Sequence, residues 1–260
     1  MKKTSARDRL EQALSRIADP SGEGVRACLN VYAETARAAA DASDARARSG
    51  ISLGPLDGAI VSIKDLFDVK GEVTRAGSKI LAEEGKPASA DAPVVTRLRA
   101  AGAVIVAKTN MSEFAFSGVG ANPHYGTPLN PFDRATGRIP GGSSSGAAVS
   151  VTDGMAAGAI GTDTGGSVRI PAAYCGVAGL KPTFGVLSTR GVMPLAWTFD
   201  TLGFLAPSVA DLAMLFSATV RHDATWPYAR AHPYPDLAPL ASIRELRIGH
   251  PVDLDSMGLD

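Results

Sequence analysis

Cysteine is nearly absent: Cys28 and Cys175 are the only two in 260 residues. So sparse and widely spaced a pair excludes a disulfide framework or a cysteine-based metal site, and each reads as a small buried hydrophobe. An excess of charge is missing too, since 26 basic and 26 acidic residues give a formal net charge of zero. That balance argues against a nucleic-acid or membrane-surface partner. No apolar run approaches bilayer-spanning length, and the opening MKKTSARDRLEQ has no apolar core of a signal peptide. The expectation is a reducing, cytoplasmic setting with no membrane contact. Histidine is scarce: of His124, His222, His232 and His250 only His124 falls among the motifs below, and beside Pro123 it reads as a loop residue. There is no internal repeat.

What the chain does have is glycine, 28 residues of it. Two Gly/Ser clusters, GGSSSG at 141–146 and GGS at 165–167, bracket a run of small apolar residues. Glycine tolerates backbone angles and close approaches that other residues do not. A glycine pair before a serine therefore turns several N–H groups toward one point and presents a hydroxyl there. Acyl transfer needs that combination: a nucleophile, with donors aimed at the oxygen that becomes negative. Each cluster alone also reads as a flexible loop, but a linker has no reason to run straight into VRIPAAYCGVAGLKP. A phosphate could use the same cradle, yet no GxxxxGK[ST] pattern is present.

Periodicity organises the rest. Residues 5–18 carry Leu10, Ala13, Leu14 and Ile17 on one helical stripe, and an Ala-rich helix is expected over 25–48, ending at Gly50. Short apolar runs at 59–63, 103–107, 157–161 and 244–249 read as strands. Helices are expected between them: one capped by Asp91 and closed by Gly102, a short one after Asn110, and others over 146–153 and 167–174. A last one starts at Ser208 with Asp211 three residues on. Such alternation implies an α/β fold, with a largely parallel or mixed sheet covered by helices on both faces. No clear linker divides the chain; the Pro-rich stretch 222–239 is the nearest to one.

The chain resembles the amidase signature family, the serine amidases with a Ser-Ser-Lys triad. The resemblance rests on the Gly/Ser stretch together with GPLDGAIVSIKD (54–65), AGAVIVAKTNMSEFA (101–115), GTPLNP (126–131) and CGVAGLKPTFGVLS (175–188). It continues weakly through DTLGFLAPSVADLAML (200–215). It implies an amidase-signature-type mixed sheet and a single amidase domain over 1–260. Within that domain, 1–50 form peripheral helices and about 51–220 the signature core. Family members run on well past the position of Asp260, so the resemblance also implies that the C-terminal half of the domain lies outside this sequence.

The resemblance further implies the site. Ser167 matches the nucleophile, Ser143 the serine that relays a proton, with a cis peptide bond before it, and Lys64 the base. Thr164, Gly165, Gly166 and Ser167 match the positions whose amides form the oxyanion hole. From the residues alone, Ser167 also suits a helix N-cap and Lys64 a solvated strand end. As a base, Lys64 must fall from about 10.4 to about 7, roughly 4–5 kcal/mol, which desolvation can supply; the expectation is a buried, partnered amine. Asp163 and Arg169 are expected to hold the loop, and the loop 118–131 and Trp197 to shape the pocket. Ser145 stands where the family has glycine. No metal or organic cofactor is implied. The partners implied are a small-molecule amide substrate and either a second copy or amidotransferase subunits. A stand-alone amide hydrolase, the glutamine-hydrolysing subunit of a tRNA-dependent amidotransferase, and an inactive fragment with a scaffold role all fit the motifs.

Overall fold

A computed structural model describes residues 4–230 together with Arg244 and Arg247. In chain order the elements are α1 (Ala6–Ala18), α2 (Gly24–Ala27), β1 (Cys28–Val31), α3 (Ala33–Arg48), β2 (Ile60–Lys64), α4 (Lys79–Glu84), α5 (Pro93–Ala100) and β3 (Val104–Thr109). A single 3-10 turn at Glu113–Ala115 follows, then α6 (Ser145–Thr152), β4 (Gly158–Asp163), α7 (Arg169–Cys175), β5 (Ala178–Leu180), β6 (Thr201–Ala206) and α8 (Val209–Thr219). The strand expected at 244–249 and most of the Pro-rich stretch lie outside the described residues.

The strands form one six-stranded sheet in the order β1-β3-β2-β4-β6-β5. Its centre, β3-β2-β4, is parallel, while β1, β6 and β5 each join antiparallel. Every residue of β2, β3, β4 and β6 is buried, as expected for strands covered on both faces. On one face Ile60, Ala159 and Leu205 pack with Leu10 and Ile17 of α1, Ala36 and Ala40 of α3, and Ala147 and Ala148 of α6. On the other Val61, Ile160 and Phe204 pack with Val94, Val95 and Leu98 of α5 and Leu212, Leu215 and Phe216 of α8. Phe204 meets Phe216 edge to face at 6.2 Å.

Local signals hold where they are self-contained. Ser5 and Asp8 cap α1 reciprocally, Ser208 accepts from the Asp211 amide at the start of α8, and Gly102 adopts φ +78° just past α5. Three expectations need correction. The helix over 25–48 is two helices with β1 between them, because Cys28 and Val31 pair with Thr109 and Ala107 of β3; that partner lies far along the chain and overrides local helix propensity. Asp91 does not cap α5: Ala92 is the N-cap residue, and the Asp91 carboxylate accepts from the Lys70 amide and pairs with Arg99. The segment after Asn110 makes only the 3-10 turn, with Phe114 at φ +51°. β5, β6 and α4 were not anticipated. Cys28 and Cys175 are buried thiols, both pushed up to about 12 by burial.

Candidate active site

Lys64 is the last residue of β2, in step with Ile60 and Ser62 and so on the α6 side of the sheet. Its side chain has no exposed surface. Nζ lies 2.7 Å from Ser143 Oγ and 3.0 Å from Thr162 Oγ1, donating to both. Burial lowers the Lys64 pKa to about 7, against the opposing pull of Asp163 and Asp200, which favour the charged form. No carboxylate stands within ion-pair distance of it among the described residues.

Ser143 sits at the turn into α6. The Gly142–Ser143 peptide bond is cis, and Gly141 has φ +75°. Neighbouring backbone fixes this turn: the Gly142 amide donates to Gly118 O at 2.7 Å, and Ser143 O accepts from the Ser112 amide at 3.1 Å. A side chain at Gly142 would collide with the backbone of Gly120, so the close approach requires glycine. Ser144 then joins the two Gly/Ser clusters. Its amide donates to Ser167 O at 3.2 Å and its hydroxyl to Thr162 O at 3.3 Å.

Ser167 lies between β4 and α7 and is nearly buried. The loop before it is wound around Asp163, the last residue of β4. Asp163 accepts from the amides of Gly166, Val168 and Arg169 at 2.8, 3.1 and 3.3 Å. It also takes a two-pronged ion pair from Arg169 at 3.0 and 2.9 Å. Burial pushes this carboxyl up, but Arg169 and the backbone donors outweigh it and hold it below the usual carboxylate range. Asp163 and Arg169 thus hold the loop. One expected donor is diverted by the same contacts. The Gly166 amide is committed to Asp163 Oδ1, so the four-amide expectation reduces to Thr164, Gly165 and Ser167, whose amides meet no protein acceptor among the described residues.

Two residues at the site were missed from sequence. Thr162, on β4, is the second acceptor for Lys64. Asp200 accepts from Thr164 Oγ1 at 2.6 Å and from the Leu195 and Ala196 amides, tying the loop that carries exposed Trp197 to the Ser167 turn. Neither stands in a local pattern that marks it: the β2–β4 pairing, Ile63 opposite Ile160, brings Thr162 beside Lys64, and the β4–β6 pairing, Asp163 opposite Thr201, brings in Asp200. His124 lies apart, its ring 3.2 Å from Glu113 on the surface. No group of three or more His, Cys, Asp or Glu among the described residues could hold a metal ion, and no helix among them is long and apolar enough to cross a membrane.

Comparison with known proteins agrees across sequence and structure. The chain is 46% identical over 261 residues to a glutamyl-tRNA(Gln) amidotransferase subunit of Anaeromyxobacter sp. strain K, an alignment covering 100% of this chain and 52% of that protein. It is 46% identical over 249 residues to AtzE, the 1-carboxybiuret hydrolase subunit of Pseudomonas sp. strain ADP, covering 95% of this chain and 54% of that one. Native peptide amidase from Stenotrophomonas maltophilia superposes with TM-score 0.78 at 36% identity, over 89% of this chain and 48% of that chain. The chain therefore spans about half the length of the relatives it matches. With the Amidase family model matching residues 8–260, the chain belongs to the Amidase family.

Proposed function

We propose that these residues form the catalytic portion of an amide hydrolase that cleaves a carboxamide C–N bond through an acyl-enzyme. One observation carries the reading: a wholly buried lysine, lowered to about 7, hydrogen-bonded at 2.7 Å to the serine that follows a cis peptide bond. A buried amine that is neutral near pH 7 can accept a proton, whereas a solvated lysine cannot. In the reaction, Ser167 Oγ attacks the carbonyl carbon as its proton passes through Ser143 to Lys64 Nζ. The oxyanion settles on the amides of Thr164, Gly165 and Ser167. Collapse breaks the C–N bond, and the leaving nitrogen takes the proton back along the same path. Water, deprotonated by that relay, then hydrolyses the ester and frees Ser167.

Residues 1–260 are, on this reading, the N-terminal portion of one amidase domain acting in the cytoplasm on a small-molecule amide. The relative named as an amidotransferase subunit supports a second reading, in which glutamine is the amide and partner subunits receive the ammonia. Ammonia release from glutamine, with and without such subunits, separates the two. The nucleophile is tested by a fluorophosphonate and peptide mapping. Ser167 should carry the label; a label on Ser143 or Ser144 would exchange the roles given to the two clusters.

A further inference from the structure

Four buried side-chain atoms of the described residues make no hydrogen bond: Asp65 Oδ1, Ser78 Oγ, Lys108 Nζ and Ser145 Oγ. Two of them carry opposite charges, and the mechanism above uses neither. Lys108 has no exposed surface. It lies opposite Ile63 in the β2–β3 register, so it faces away from the side that Lys64 occupies. Its nearest carboxylate oxygen, Glu72 Oε2, is 4.0 Å away and already accepts from Tyr32 Oη at 2.7 Å and Asn30 Nδ2 at 3.1 Å. A buried ammonium that makes no hydrogen bond is costly.

The other orphaned charge is Asp65, the residue directly after Lys64. Burial pushes the Asp65 carboxyl up to about 6; the Gly77 amide, Lys108 and Arg75 favour its ionised form, and Glu72 opposes it. Lys108 in turn is lowered by burial, supported by Asp65, Glu72 and Asp68, and opposed by Arg75. Asp65 pins three pieces of backbone. Its amide donates to Thr109 O on β3 at 3.1 Å, its carbonyl accepts from the Ala76 amide at 3.1 Å, and Oδ2 accepts from the Gly77 amide at 3.1 Å. Residues 76 and 77 both have positive φ, +50° and +70°.

The same turn also anchors Ser143. Gly77 O accepts from Asn122 Nδ2 at 2.9 Å, and that amide group donates again to Met111 O at 2.8 Å. The next residue, Ser112, donates its amide to Ser143 O. Both ends of the Lys64–Ser143 hydrogen bond therefore hang from the turn that Asp65 holds.

We propose that Lys108 is a positioning residue whose buried charge keeps the Asp65 carboxylate on the Gly77 turn, and so holds Lys64 and Ser143 in register. The proposal rests on the roles given to those two residues above. A displacement of about 1 Å at such a site costs on the order of 10²-fold in rate.

The test compares wild type, Lys108→Met and Lys108→Met/Asp65→Asn, reading fluorophosphonate labelling of Ser167 and hydrogen exchange at the Gly77 amide. Lys108→Met should slow the maximal labelling rate by about 10²-fold with the half-saturating concentration changed by less than about threefold, and Gly77 should exchange faster. The double variant offers Gly77 a neutral acceptor that needs no counter-charge. It should recover labelling to within about fivefold of wild type and restore Gly77 protection. A purely structural lysine would not be rescued in this way. Wild-type labelling in Lys108→Met overturns the proposal, as does a double variant that labels as slowly as the single one. Should Lys108→Met fail to fold, the double variant carries the test, and its failure to fold is also an overturning result. If wild type itself does not label, the reading of the active site falls; unchanged Gly77 exchange in Lys108→Met then separately overturns the link between Lys108 and Asp65.

Discussion

Lys64 and Lys108 stand near the ends of adjacent parallel strands, and neither side chain has any exposed surface. Lys64 is met by two hydroxyls and by no carboxylate in contact, and burial brings it to about 7. Lys108 has no hydrogen bond but is set among Asp65, Glu72 and Asp68, which resist the same lowering. The surroundings, not the residue type, divide the two: hydroxyls pass a proton onward, whereas carboxylates hold a charge in place. One lysine suits proton transfer and the other suits fixing a turn.

The sharpest way to break this comparison is Lys64→Met. Without a base, turnover should fall by about 10⁴-fold or more, and adding Ser143→Ala should cost little further, because the residues act as one unit. Near-normal turnover in Lys64→Met at neutral pH would end the assignment. The same variant should gain stability. The folded value of about 7 lies below the unfolded one, so below pH 7 both states bind the proton and the whole cost of burying the charge is present. Between pH 7 and about 10.4 the unfolded state binds more protons, and wild-type stability climbs. Urea melts at pH 6 and pH 9 should show the advantage of Lys64→Met shrinking by up to ~2.7 kcal/mol, about two of the pK units between the folded and unfolded values.

Thr162→Val sharpens the Lys64 side of the comparison. The hydroxyl at 3.0 Å accepts from the amine and favours its charged form, so its loss lowers the Lys64 pKa further. The acid limb of the rate–pH profile, near pH 7 in wild type, should move to lower pH by roughly half a unit to one unit, with turnover down about tenfold. A limb that moves upward would contradict the hydrogen-bond direction. The smallest effect concerns an orphan without charge. Ser145 Oγ is buried and unpaired, so Ser145→Ala should stabilise the fold by about 1 kcal/mol in thermal melts and leave labelling of Ser167 unchanged. Destabilisation there would mean that the hydroxyl has a partner.

Elements whose signals close within a few residues were legible: the stripe of α1, the Ser208–Asp211 cap, and the buried runs that became β2, β3 and β4. β1 was not, because Cys28–Val31 becomes a strand only through pairing with β3. Nor was Asp91, whose carboxylate follows Lys70 and Arg99 and not its own helix.

The site divides along the same line. Residue order alone establishes a lysine at a strand end and two glycine-bound serines, in an arrangement that matches the Amidase family. The spacing of glycines is a local requirement written residue by residue. It takes the folded chain to bring Lys64 to Ser143 across 79 residues and to Thr162 across 98, to commit the Gly166 amide to Asp163, and to set Asp65 against a second buried lysine. These contacts depend on which strands lie side by side. Strand pairing is set by how the whole chain buries its apolar faces, and no short stretch of sequence contains that information.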